Sequence, residues 1–304
     1  MGELVAAIDC GTNSTRLLVG DGERTVERLT QVTRLGAGVD RNGHLHAEAI
    51  DRTVDVLRAY RDVLAEHGVT RVRATATSAV RDADNGVAFL AAAEAAIGVR
   101  PDVLTGDEEG RLTFAGATSR LDPARGPFCV IDIGGGSTEF SIGDGSGTAE
   151  VVSVDMGSVR FTERFLPSDP PRPEELVSAL SVAEAHLDDV ARELPDIGAT
   201  ATWIAVAGTA TTMAAVEIGL DPYDPDVIDG FELTRPAAED VYRTLVTEAL
   251  VDRVHNPGLH VDRAEVIVGG ACLVVAIMRY FGIDPLVISE RDLLDGIIAG
   301  LVSA

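Results

Sequence analysis

Residues 9–22 read DCGTNSTRLLVGDG and residues 132–145 read DIGGGSTEFSIGDG. Aligned without gaps, the two stretches carry Asp, Gly, Ser, Thr, Gly, Asp and Gly at the same seven offsets. Each follows an apolar run, Leu4 to Ile8 or Phe128 to Ile131, and leads into a second one. That grammar predicts strand, tight turn, strand. Glycine lets the main chain approach a ligand closely. Successive N–H groups in such a turn form an anion-binding nest, and Ser or Thr hydroxyls add donors. The aspartate at the strand end suits a hydrated metal ion. Two such turns in register imply two similar domains that face each other.

A third turn follows the apolar stretch in Trp203–Met213, WIAVAGTATTM. Ala205–Ala207 reads as a buried strand, with Gly208 and Thr209 capping a helix from near Ala210. Helix N-termini attract phosphate through unpaired N–H groups and the macrodipole. Amphipathic helices are predicted over Ala47–His67, Glu174–Leu194 and Pro236–Arg253. Short strands are predicted at Arg71–Ala76, Pro101–Thr105 and Val151–Val154. Alternating strands and helices give an α/β class with mixed sheets.

The chain has 304 residues, 46% of them hydrophobic, and a formal net charge of −24. That length allows two cores. The charge argues against nucleic acid as a partner. The longest uncharged apolar run, Val266 to Met278, falls short of the roughly 18 residues of a membrane span. Glu3 and Asp9 interrupt the first ten residues, so neither a membrane partner nor a leader is expected and the expected location is cytoplasmic. Cys10, Cys129 and Cys272 read as buried reduced thiols. All 25 basic residues are arginine. A lysine nucleophile or Walker-type lysine is therefore excluded. Fifteen of those arginines and 19 of the 49 acidic residues lie at or before Arg125. The remainder is far more acidic, so anions should approach the N-terminal part.

ATATSAVRDADNG, TGDEEGRL, VIDIGGGSTEF, VAGTATTMAA and RAEVIVGGACLV…VISERDLLDGII follow one another along the chain. Together they resemble the exopolyphosphatase/guanosine pentaphosphate phosphatase (Ppx/GppA) family of the actin-like ATPase superfamily. The resemblance spans essentially the whole chain. It implies two ribonuclease-H-like domains with mixed sheets flanked by helices and an active site in the interdomain cleft. Residues 1–120 plus 289–304 would form the first domain, and 121–288 the second. Larger members carry a further helical domain, so this chain is expected to be the short, two-domain form. Cys10 and Gly110 depart from the family pattern without removing a chemical group.

Phosphoanhydride hydrolysis needs a metal, donors for phosphate oxygens, a water and a base for it. The resemblance assigns the base to Glu109, with Glu108 adjacent and spacing to the second hairpin favouring Glu109. Glu139 stands where the first hairpin has Arg16, which suggests a division of labour. Glu139 would bind the metal or orient water, and Arg16 would contact phosphate or pair with carboxylates. Asp9, Asp132 and Glu139 are the metal candidates, and hard oxygen ligands favour Mg²⁺, with Mn²⁺ the alternative. Arg81 offers a bidentate phosphate contact. Thr12, Asn13, Ser14, Gly134, Gly135, Gly136, Ser137 and Thr138 would grip phosphate, with Gly208 and Thr209 as the third loop. The six histidines do not assemble into a site.

The expected reaction is release of terminal phosphate from inorganic polyphosphate, short chains preferred. The rival substrate is pppGpp, which would tie the protein to the stringent response. Rivals of another class are a superfamily kinase and a nucleotide-binding actin-like or Hsp70-like switch. A homodimer is plausible from the family.

Overall fold

The computed structural model describes residues 2–145 and 149–303. Eleven strands among them form two mixed sheets. The first contains β1 (Val5–Cys10), β2 (Ser14–Gly20), β3 (Thr25–Val32), β4 (Arg71–Ala76) and β5 (Asp102–Val103), in the order β3-β2-β1-β4-β5. The second contains β6 (Phe128–Ile133), β7 (Thr138–Gly143), β8 (Glu150–Val154), β9 (Thr202–Val206), β10 (Glu232–Leu233) and β11 (Leu286–Ile288), in the order β10-β11-β9-β6-β7-β8. In each, three strands meander antiparallel and the next pairs parallel to the first of them. The duplication in the sequence is thus a duplication of topology.

The helices are α1 (Val39–Asn42), α2 (Ala47–Glu66), α3 (Ser78–Asp82), α4 (Gly86–Ile97), α5 (Gly106–Thr118), α6 (Ser158–Phe165) and α7 (Pro173–Glu193). There follow α8 (Ala207–Ile218), α9 (Pro225–Ile228), α10 (Arg235–Thr247), α11 (Leu250–Arg253), α12 (Ile267–Phe281) and α13 (Leu293–Ser303). No helix among the described residues is long and apolar enough to cross a membrane.

Strand alternation sorts the core into layers. On one face of β1, Ala6, Ile8 and Cys10 pack with Leu57 and Tyr60 of α2 and Phe89 of α4. On the other, Val5 and Ala7 meet Leu294, Ile297 and Ile298 of α13. In the second sheet, Phe128 and Val130 face Phe114 and Ala117 of α5. The opposite face, with Cys129 and Ile131, is covered by α7 and α12. Helices α5 and α13 therefore lie between the sheets, one on each. Their backbones touch: a Cβ on Gly116 would sit 2.0 Å from the Asp292 carbonyl oxygen, and one on Gly296 2.0 Å from that of Leu112. Only glycine permits that approach.

Three expectations are corrected. The helix over Pro236–Arg253 is two, because buried Arg253 folds back to donate to the carbonyls of Leu245, Glu248 and Ala264 and the chain must turn to let it. Helix α8 starts at Ala207 rather than near Ala210, which puts Gly208 and Thr209 inside its first turn. The strand at Pro101–Thr105 shrinks to two residues, since Leu104 and Thr105 already lead into α5. The three cysteines are free and buried, as read.

Candidate functional site

Where the hairpins meet, a cleft of about 750 Å³, its open mouth included, is lined by Asp9, Thr12, Asn13, Ser14, Arg16, Glu109, Asp132, Gly134, Gly135, Ser137, Gly208 and Thr209, all expected from sequence. The hairpin tips are in contact: a Cβ on Gly135 would lie 2.9 Å from Thr12 Cβ. Thr12 and Ser78 share a 2.9 Å hydroxyl–hydroxyl bond.

The main chain of both loops is held from outside. Gly134 oxygen accepts from Ser158 N at 2.9 Å, and Gly135 oxygen from Val159 N at 2.9 Å and Arg160 N at 3.1 Å. Gly136 oxygen accepts from Arg160 Nε at 2.8 Å. In the first loop, Gly36 N holds Thr12 oxygen at 2.8 Å, and Thr33 N and Arg34 N hold Asn13 oxygen at 3.0 and 2.9 Å. In a trans peptide C=O and N–H point opposite ways. Carbonyls fixed outward therefore turn the amides of Asn13, Ser14, Gly135 and Ser137 toward the cleft. Backbone donors arranged in this way are able to bind an anion. Ala207, at the mouth of the third loop, has φ 65°, a left-handed conformation costly for a residue with a Cβ.

The acidic groups divide as the broken repeat suggested. Arg16 is paired across the ladder with Asp9, and Glu139 occupies the same position opposite Asp132. Arg16 binds Asp9 at 3.0 Å and also forms an ion pair with Asp292. Its guanidinium is thus engaged by carboxylates. In the second hairpin two buried carboxylates stand opposite each other, which costs stability. Glu139 accepts from Ser153 Oγ at 2.7 Å and Asp132 from Thr113 Oγ1 at 3.1 Å. Burial pushes Asp132 up to about 6 and Glu139, with Asp132 beside it, up to about 8. Burial also raises Asp9 against the pull of Arg16.

Glu108 and Glu109 go to different places. Glu108 is exposed and closes the capping box of α5, accepting from Thr105 N at 2.8 Å and Thr105 Oγ1 at 2.9 Å. Glu109, 9% exposed, faces the cleft. Burial, then the charges of Glu139, Asp132 and Asp9, hold its carboxyl well above the usual range. Among the described residues Glu109 Oε2, Glu139 Oε2 and Asn13 Oδ1 are buried without a hydrogen-bond partner. Unsatisfied buried oxygens are costly and mark a place where a ligand, water or ion completes the site.

Those oxygens fit a divalent cation of the Mg²⁺ type, which takes one or two carboxylates and keeps water or phosphate oxygens as its other ligands. Asp9, Asp132 and Glu139 do not form a protein cage: no group of three such side chains able to hold a metal exists among the described residues. The physical reason is that Asp9 is turned to Arg16 and Thr75.

Four expected residues are not on the cleft wall, and the first is Glu139, which is buried behind it with its carboxylate bonded to Ser153. Arg81 donates to the Leu104 carbonyl at 2.8 Å and stands 3.9 Å from Glu109 Oε2, flanking that carboxylate rather than lining the cleft. Gly136 lines a smaller cavity behind the loop. Thr138, fully buried, donates its hydroxyl to the Met156 carbonyl. Asp292, Ser78 and Arg263 were not singled out from sequence. Arg263 lines the cleft over the third loop, where a Cβ on Gly208 would strike its guanidinium. Arg263 does stand first in the quoted RAEVIVGGACLV, which was the one signal for it.

The raised carboxyls have a consequence for stability. In the unfolded chain Asp132 and Glu139 ionise near pH 4, whereas the folded site keeps their protons until about pH 6 and about pH 8. The folded state then binds more protons, so the stability linked to these groups is complete below pH 4 and is lost as pH rises through 6 and 8. Melting temperature without divalent metal should fall between pH 5 and 8.5. Glu139→Gln should flatten the upper part of that fall, and millimolar Mg²⁺ should oppose it in the parent protein. An unchanged slope in Glu139→Gln would remove Glu139 as its source.

The comparisons with known proteins agree with this geometry. Exopolyphosphatase 2 of Mycobacterium tuberculosis (strain H37Rv) is 41% identical, over 98% of this chain and 98% of that protein. A solved exopolyphosphatase-like protein is 38% identical and superposes with a TM-score of 0.95, covering 99% of both chains. The Aquifex aeolicus Ppx/GppA family member is 32% identical with a TM-score of 0.81, over 99% of this chain and 98% of that one. The Ppx/GppA phosphatase family model matches residues 17–304. With the hairpins, the cleft and these relatives in agreement, the chain belongs to the Ppx/GppA phosphatase family.

Proposed function

We propose that the protein removes the terminal phosphate of inorganic polyphosphate, with Glu109 as the base for the attacking water. The observation that carries this reading is the Glu109 carboxylate. It is buried, one oxygen lacks a hydrogen-bond partner, and it faces a cleft walled by outward-held loops with inward amides. The terminal phosphate sits on the amides of the two hairpins. Water attacks its phosphorus, Glu109 takes the proton, and the electron pair of the breaking P–O bond leaves with the bridging oxygen. A carboxyl held above its usual range takes a proton well near neutral pH. Glu139 and Asp132 would hold Mg²⁺, which when bound neutralises phosphate oxygens. Arg16 keeps Asp9 in place, and Arg81 tempers the charge on Glu109. The division into 1–120 plus 289–304 and 121–288 belongs to the same proposal.

Short chains are preferred, on charge grounds. The groove adjoining the cleft carries Asp221, Asp262, Glu290 and Asp292 against Arg16, Arg28 and Arg263, and Arg16 is already paired with Asp9 and Asp292. Arg28 is itself paired with Asp295 at 2.6 Å. A long polyanion leaving along that wall gains little. One observation favours pppGpp as a second reading: the groove holds about 2310 Å³ with its open side included, and Tyr223 lines it.

Phosphate release with Mg²⁺ should be fastest on short polyphosphate, slower on long chains, and abolished by EDTA. Turnover confined to pppGpp would change the substrate and keep the site. If ATP, pppGpp and every polyphosphate stay intact with Mg²⁺ and Mn²⁺, the reading is wrong.

A further inference from the structure

The N-terminus of α6 grips three successive carbonyls of the second hairpin, and the third grip differs in kind. Gly134 and Gly135 are held by main-chain amides, whereas Gly136 is held by the side chain of Arg160, through Nε at 2.8 Å. The same guanidinium binds Asp82 at 2.9 Å through Nη2 and forms an ion pair with Asp40 through Nη1. Asp155 stands 3.8 Å away. Asp40 belongs to α1 and Asp82 to α3, on the far side of the cleft from α6. The Arg160 side chain is only 14% exposed, while its partners Asp40 and Asp82 reach the rim of the cleft. One turn on, Glu163 accepts from Gly38 N at 2.9 Å, so the same helix face clasps the start of α1. A planar fork with five donors in fixed directions can serve a carbonyl and two carboxylates at once and hold them in one geometry.

We infer that Arg160 is a positioning residue that couples closure of the cleft to the grip on phosphate. With the cleft shut, Asp40 and Asp82 fix the guanidinium, its Nε fixes the Gly136–Ser137 peptide, and the Ser137 amide faces the phosphate. With the cleft open the guanidinium loses both aspartates and that peptide is free to turn. Linkage is reciprocal, so phosphate in the nest favours the shut state by the factor by which closure improves binding. The inference rests on reading the second hairpin as a phosphate cradle.

Both can be tested on the ¹⁵N-labelled full chain, following the amides of Gly135, Gly136 and Ser137 while inorganic phosphate is added. The variants are Arg160→Met, Asp40→Asn with Asp82→Asn, and all three together. In the parent the Ser137 amide should shift. In Arg160→Met phosphate should bind about tenfold more weakly and kcat/KM should fall by a similar factor, within the range of coupled sites. The aspartate pair should give the same loss, and the triple variant should be no worse than Arg160→Met. A silent Ser137 in the parent overturns the cradle and the inference together. Equal shifts and affinity in parent and Arg160→Met leave the cradle standing and overturn the role of Arg160, as do additive losses in the triple variant. Should Arg160→Met not fold, the aspartate pair decides alone, and unchanged phosphate affinity there is the overturning result.

Discussion

Glu109→Gln should lower kcat on short polyphosphate about a thousandfold, within the range for loss of a general base, while KM moves less than about threefold. Glutamine keeps the shape and removes the proton acceptor, so substrate still fits the nest. The variant should also melt at a higher temperature near pH 8, because a buried carboxyl crowded by Glu139, Asp132 and Asp9 is gone. Glu108→Gln is the counterpart. Glu108 serves the capping box, a place that glutamine also fills, so Glu108→Gln should cost less than about 1 kcal/mol of stability and leave kcat within a few fold. Steady-state kinetics and melting curves on both variants check the assignment. Should Glu108→Gln lose the more activity, the roles are reversed.

The second large effect is expected far from the phosphate. Gly296→Ala drives a methyl group to 2.0 Å from the Leu112 carbonyl oxygen, and Gly116→Ala does the same against Asp292. Backbone cannot yield as a side chain can, so α5 and α13 must separate, at about 3 kcal/mol each. For a chain of this size that is roughly 5 °C in melting temperature. Activity should fall as well, because α5 carries Glu109 in its first turn and α13 begins beside Asp292, the partner of Arg16. Gly300→Ala is the control: nothing lies within 4 Å of its added Cβ, and alanine is the better helix former. It should be neutral or stabilising by up to about 1 kcal/mol. Equal melting temperatures in all three variants would remove the contact between α5 and α13 as the source of the effect.

Much of this site was legible because its signals are local. Seven shared offsets placed both hairpins, and the swap of Arg16 for Glu139 announced the asymmetry that the ladder pairs then displayed. The capping-box pattern Thr105-x-x-Glu108 would have separated the two glutamates from sequence, since a cap residue is committed to the backbone. What stayed hidden depends on distant segments. Arg160 matters for its partners Asp40 and Asp82, 120 and 78 residues away, and nothing in the SVRF stretch marks it. Asp292 is met only when α13 returns to β1. Arg81 follows a strand and a Thr/Ser turn as expected, but the carbonyl of Leu104 claims its fork.

The outward-held carbonyls also bear on how such a protein can vary. The four inward donors are peptide N–H groups, so replacing any of their side chains by alanine leaves all four in place. An alanine scan through 134–138 would leave those donors in place, registering instead packing where Gly135 meets Thr12 and Gly136 meets Ser78, and the lost hydroxyl bond from Thr138 to Met156. Proline alone deletes such a donor. A chain with no lysine and a net charge of −24 can thereby offer a polyanion donors that its side-chain composition does not set, and its surface is left free to drift toward acid.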